Sequence, residues 1–237
     1  MSGTRSAMSS TCLRMPRAEA GMGGELDEWR ARLAAMAMPD DGADGAHDAT
    51  HVARVWRAAA SLLAEHPEAD PLIVLAACHL HDIVNLPKQH PDRARASRMA
   101  AERARRLLAD AGFPADKLDG VAHAIEAHSF SAGIAPRTIE ACIVQDADRL
   151  DALGAVGLAR LYYTAGRMGS ALAHPADPLA RDRPLDDRAY ALDHIEAKLA
   201  TLPATMRTAA GARLAEKRLD WLRAFRDTFV DEWGRGD

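Results

Sequence analysis

Residues 72–84 read LIVLAACHLHDIV, an apolar run of helical composition that has to be buried, yet it carries His81 and Asp82 side by side. Burying two adjacent ionisable groups is expensive unless a partner takes up their charge and their hydrogen-bonding capacity. A metal ion does both. His51 upstream, in DATHVARV, and Asp148 downstream, in IVQDADRLDALG, add the nitrogen and oxygen donors that suit a borderline or hard divalent cation. A chain carrying this set has to fold so that separate stretches meet around one point.

From residue 25 onward apolar positions recur at three and four, Ala, Leu, Arg and Glu abound, and strand signals are nearly absent. The expected class is therefore all-α. Helices are expected over about 25–37, 48–66, 70–85, 92–111, 115–129, 136–166, 187–201 and 204–233. Most breaks carry Pro, Gly or Asp, as at Pro39-Asp40-Asp41-Gly42, Pro67, Pro71, Pro87, Pro91, Gly112-Phe113-Pro114 and Pro136. The loop 174–187, HPADPLARDRPLDD, is long enough to fold over a cleft as a lid; a solvated connector is the equal alternative.

At 237 residues, with 48% hydrophobic and 27% charged residues, the chain is expected to form one domain over 25–237, preceded by a flexible tail over 1–24, with Met15 and Met22 as alternative translation starts. The formal charge of −4 offers no basic field, so no stable nucleic-acid partner is expected. Cys12, Cys78 and Cys142 are too few and scattered for a disulfide framework, and a reducing cytoplasm is the expected compartment. Neither a secretory signal nor a membrane span is expected, because the apolar runs stop well short of the roughly 20 residues a span requires.

His51 shares a helical face with Val55 and Leu62 and points inward. By itself it reads as a core histidine; its companions make it a ligand candidate. The competing doublet His47-Asp48 follows a loop, with Asp48 placed as a helix N-cap. His81 and Asp82 project about 100° apart on a helix, so a shared ion must lie between their directions and be closed off by ligands from elsewhere. In QDADRLDALG, Asp148 and Asp151 share a face and Asp146 is turned away, among core-like Ile143, Val144, Leu150, Leu153 and Val156. Asp151 is a candidate for supporting a ligand or orienting water. His128, before Ser129-Phe130-Ser131, is a candidate to protonate a leaving oxygen or to bind phosphate as imidazolium. Arg54 is divided evenly between phosphate contact and a salt bridge, and Arg149 is expected to pair with an internal acid. Trp56, Trp221, Trp233, Tyr162 and Tyr163 read as packing residues.

The ordered set His51, His81-Asp82 and Asp148 resembles the HD-domain metal-dependent phosphohydrolase superfamily. LAACHLHDIVNLPKQHPDRARAS, AIEAHSFSAGIAPRTIEACIVQDADRLDALGAVGLARL and DPLARDRPLDDRAYALDHIEAKL extend the similarity to its YedJ-like bacterial group. The resemblance implies a helical bundle with the metal between helices, and a ligand set of His51, His81, Asp82 and Asp148. It implies hydrolysis of a phosphate ester or anhydride in a small phosphorylated substrate, with nucleotides the usual class. Hydroxide made available by a divalent cation (Mn, Mg, Fe, Co, Ni or Zn) is the expected nucleophile. Lys88, by itself an exposed loop lysine, becomes a phosphate contact on the resemblance of LPKQHPDR to a recurring segment. One departure stands out: several such hydrolases place a catalytic Glu three residues after the doublet's Asp, where this chain has Asn85. Two alternatives stay open. A binuclear-iron oxygenase would need extra histidines from among His90, His123 and His128, and a non-catalytic nucleotide or metal sensor would not need the complete shell. A monomer or a homodimer fits equally.

Overall fold

The computed structural model describes residues 17–37, 49–84, 86, 90–129 and 132–234. Among them there are nine α-helices and no strand, only an isolated bridge between Ala171 and Tyr190. No helix among the described residues is long and apolar enough to cross a membrane.

Helix α3 (Pro71–Leu80) is the hub, packing against α1 (Arg17–Met36), α2 (Ala49–Leu63), α4 (Ala96–Asp110), α5 (Leu118–His128) and α6 (Ile139–Leu150). Its start is written locally: Pro71 occupies the first turn and the Asp70 carboxylate accepts from the amide of Leu72 at 2.9 Å. Leu72 and Val74 to Leu80 are all buried, as a helix enclosed by neighbours requires. Helix α2 is amphipathic instead, burying His51, Val55, Ala58, Ala59 and Leu62 along one stripe. Gly120 on α5 meets α3 so closely that a Cβ there would lie 2.9 Å from Cδ1 of Ile73.

Several boundaries differ from the sequence expectation. Helix α1 begins at Arg17 and so takes in residues 17–24 of the segment read as a flexible tail. Helix α3 stops at Leu80, which puts His81 at its C-cap and Asp82 in the following turn, not within a longer helix. The single helix expected over 136–166 is two, α6 and α7 (Gly154–Met168), separated by a turn at Asp151–Leu153. Gly154 adopts φ +76°, a conformation that L side chains avoid, and this re-aims the chain. Past the 170–192 segment, the expected helix over 187–201 shortens to α8 (Asp193–Ala197) and a one-turn helix, and α9 (Ala209–Trp233) starts only after Thr208 caps it by accepting from Gly211.

The loop 174–187 is fastened rather than loose. Arg183 donates to both carboxylate oxygens of the buried Asp193, at 2.6 and 2.8 Å, and Asp177 accepts from the amides of Arg181 and Asp182. Tyr162 packs between Phe225 and Phe229 as expected, but Trp221, Tyr163, Trp233 and Val156 lie at the surface, because α7 and α9 turn only part of their apolar faces toward the rest of the bundle.

Candidate metal centre

Three helices end at one place. His81 caps the C-terminus of α3, His128 is the last residue of α5, and Asp148 lies in the last turn of α6. Helix C-termini carry partial negative charge, so their convergence favours a cation. From the opposite side, His51 reaches in from the first turn of α2.

The donor atoms are close. His51 Nε2 lies 3.2 Å from His81 Nε2, 3.5 Å from Asp148 Oδ1 and 4.0 Å from Asp82 Oδ2. His81 Nε2 lies 3.5 Å from Asp82 Oδ2 and 3.7 Å from Asp148 Oδ1. Donors each about 2.1 Å from a shared ion sit about 3.0–3.4 Å apart in octahedral or tetrahedral arrangements, so these separations match ligands around one centre with little adjustment.

Proton positions follow from the partners. His81 Nδ1 faces the Cys78 carbonyl at 2.9 Å and His128 Nδ1 faces the Ile125 carbonyl at 2.6 Å; a carbonyl only accepts, so both nitrogens carry hydrogen. His51 Nδ1 donates to Asp151 Oδ2 at 2.8 Å. In the neutral rings every Nε2 therefore presents a lone pair, and two of these lone pairs meet 3.2 Å apart beside two carboxylates. Positive charge among these acceptors relieves their mutual repulsion, and the residues present fit a divalent metal on that ground. Burial opposes a charge on His81, but Asp82 and Asp148 more than offset it and raise its pKa. Burial, then the proximity of His81, lowers the pKa of His128, which disfavours the second of the two roles open to it, binding phosphate as imidazolium.

Asp151 anchors the arrangement from behind. It accepts from His51, from Arg54 Nε at 2.7 Å and Nη2 at 3.1 Å, and from Arg160 of α7. Burial alone would raise its pKa; the bonds from His51 and Arg54 and the charge of Arg160 bring it well below the usual carboxylate range. Of the two roles open to Asp151, supporting a ligand is the one this geometry matches. Arg54 turns its guanidinium onto Asp151 and Thr50, the bonding that the salt-bridge alternative describes.

Asp146, two residues before Asp148, points into the core. It accepts from the amides of Arg207 and Thr208 and from the Thr208 hydroxyl, each at 2.8 Å, and so ties α6 to the start of α9. Arg149 donates to the Thr205 carbonyl at 2.8 Å, and the charges of Asp146 and Asp148 also act on it. His90 and His123 are engaged elsewhere, accepting from the amides of Asp92 and Arg137. Of the three histidines considered for a second metal, only His128 approaches the cluster, at 3.7 Å from Asp82 Oδ1. Lys88, Asn85 and the doublet His47-Asp48 lie outside the described residues.

A small cleft of about 40 Å³ opens on the Asp82 side of the cluster, lined by His81, Asp82, Arg93, Ser97, His128 and Ser129 among others. Sequence reasoning reached Ser129 but missed Arg93, Ser97 and Arg160. The signal for Ser97 was a lone hydroxyl on the otherwise apolar stripe Ala100, Ala101, Ala104 and Leu108 of α4. Arg160 gave no local signal, because its partner lies across the α6–α7 break.

The profile of the HD domain matches residues 48–153, which span α2 to the α6–α7 turn and contain His51, His81, Asp82, Asp148 and Asp151. The protein YpgQ of Bacillus subtilis is 34% identical over 183 residues, covering 76% of this chain and 80% of that protein. Its crystal structure in complex with ADP superposes with a TM-score of 0.62 at 28% identity, over 90% of this chain and 96% of that one. An HD-superfamily hydrolase from Bacillus thuringiensis superposes with a TM-score of 0.67 at 28% identity, over 88% of this chain and 98% of that one. With the relative aligned along most of both chains and the profile spanning the clustered residues, this chain belongs to the HD-domain superfamily.

Proposed function

We propose that the protein is a metal-dependent phosphohydrolase acting on a small phosphorylated substrate of the nucleotide class. The observation that carries this reading is the pair of imidazole Nε2 atoms 3.2 Å apart, both with their Nδ1 protons committed elsewhere, beside the carboxylates of Asp82 and Asp148. His51, His81, Asp82 and Asp148 would hold a divalent cation. When bound, it supplies Lewis acidity, lowering the pKa of water and neutralising phosphate charge.

The chain's own residues supply the rest. Asp151 keeps His51 in the tautomer that presents Nε2. His128, neutral and 3.7 Å from Asp82, takes a proton from the attacking water at Nε2 and returns it to the leaving oxygen, the part left open by Asn85. Support for a nucleotide comes from YpgQ, whose structure was obtained with ADP.

The test is metal analysis of protein purified without added metal, followed by phosphate release from a nucleotide panel with Mn, Mg, Co or Ni. Turnover that disappears in Asp82→Ala, together with bound metal and with helix content retained, is the expected result. Two bound irons with no phosphate released from any nucleotide would replace this reading with the binuclear-iron oxygenase.

A further inference from the structure

The cleft beside the cluster has a chemically mixed lining. His81, Asp82 and His128 present acceptors; Arg93, in the single 3-10 turn Arg93–Arg95, and Ser97, in the first turn of α4, complete the polar lining with Ser129. Ser97 is 3% exposed, and its hydroxyl has no hydrogen-bond partner among the described residues. Its stripe continues with Ala100, Ala101 and Ala104, so alanine would pack at this position equally well. A buried hydroxyl without a partner destabilises the free protein, and a ligand that supplies the missing acceptor recovers that loss.

We propose that Ser97 is a substrate-contacting residue whose hydroxyl donates to a phosphoryl oxygen on the Asp82–His128 side of the centre. The surroundings identify the ligand group: Arg93, which donates to the Leu86 carbonyl, adds positive charge to the same lining, and a charged phosphoryl oxygen is the stronger acceptor for a hydroxyl donor beside a cation. A neutral ribose hydroxyl accepts a hydrogen bond more weakly than a charged phosphoryl oxygen does. Ser97 thus discriminates phosphorylated from unphosphorylated ligands. This inference rests on the phosphohydrolase reading and adds to it the residue that reads the phosphate.

The test compares ADP and adenosine by calorimetry on Mn-loaded wild type and Ser97→Ala, alongside thermal melts of both proteins without ligand. Ser97→Ala is expected to weaken ADP about 10-fold, as removal of a hydrogen bond to a charged group does. Adenosine binding and metal content should not change, and the melting temperature should hold or rise. Ser97→Thr, which keeps the hydroxyl, should restore ADP binding to within about 3-fold of wild type. Equal ADP affinity in wild type and Ser97→Ala overturns the role of Ser97 and leaves the phosphohydrolase reading standing. A lower melting temperature with unchanged ADP affinity shows a structural hydroxyl and also overturns it. Wild-type protein that holds Mn but binds no ADP overturns both.

Discussion

Asp151 Oδ2 accepts from His51 Nδ1 at 2.8 Å across a sequence separation of 100 residues, and this bond decides which nitrogen of His51 faces His81. The carboxylate is itself held by Arg54 and Arg160, so the ring is braced from α2, α7 and the α6–α7 turn together. Removing such support from a metal-binding histidine typically weakens the metal 10- to 100-fold, roughly the loss expected for Asp151→Ala. Competition with a chromophoric chelator measures it. Unchanged affinity would show that His51 needs no such bracing.

Asp151 also makes a pH prediction. Its carboxyl pKa is lowered in the fold, because the hydrogen bonds and positive charge outweigh burial. A depressed carboxylate contributes stability that is present above the unfolded value, about pH 3.9, and is lost as the pH falls through the folded one. The melting-temperature gap between wild type and Asp151→Asn should therefore be full at neutral pH and narrow below about pH 4. A gap that widens on acidification contradicts the assignment.

Asp146 and Asp148 should separate cleanly. Asp146→Ala removes the acceptor for three donors at the start of α9 and should cost about 3 kcal/mol of stability while the folded fraction keeps its metal. Asp148→Ala should do the reverse, losing metal with little change in the apo-protein melt. Gly211→Ala belongs with Asp146: its Cβ would fall 2.4 Å from Asp146 Oδ2, and a loss on the order of 1–3 kcal/mol is expected from the forced shift. Denaturant titration and metal content of each variant decide the matter.

Chelation provides the global check. Four acceptors converge here, so metal added at a hundredfold excess over its Kd should raise the melting temperature by roughly 5–10 °C over chelated protein. The increment should vanish in His81→Ala. A chelator that leaves the wild-type melt unmoved would speak against a cation at this centre.

How far the sequence alone reached is clearest at the cluster. His81-Asp82 inside an apolar run declared a binding need, because unpaired buried charge is costly wherever the chain places it, and helical periodicity declared the all-α class. Asp148 was separable from Asp146 because helix geometry turns residues two apart to different faces. What periodicity did not reveal was where helices stop. It ran α3 through the doublet and fused α6 with α7, because a C-cap after Leu80 and a left-handed Gly154 are decided by what the chain packs against.

The sequence by itself therefore determined the class of the fold and the identities of the ligand candidates, since burial cost and helical period are properties of short segments. Only the tertiary structure decided that Arg54 serves Asp151, that Asp151 orients His51, and that Ser97 faces a cleft without a partner. Those relationships join residues far apart in the chain, and a hydrogen bond formed over 100 residues leaves no periodic trace in either segment that makes it.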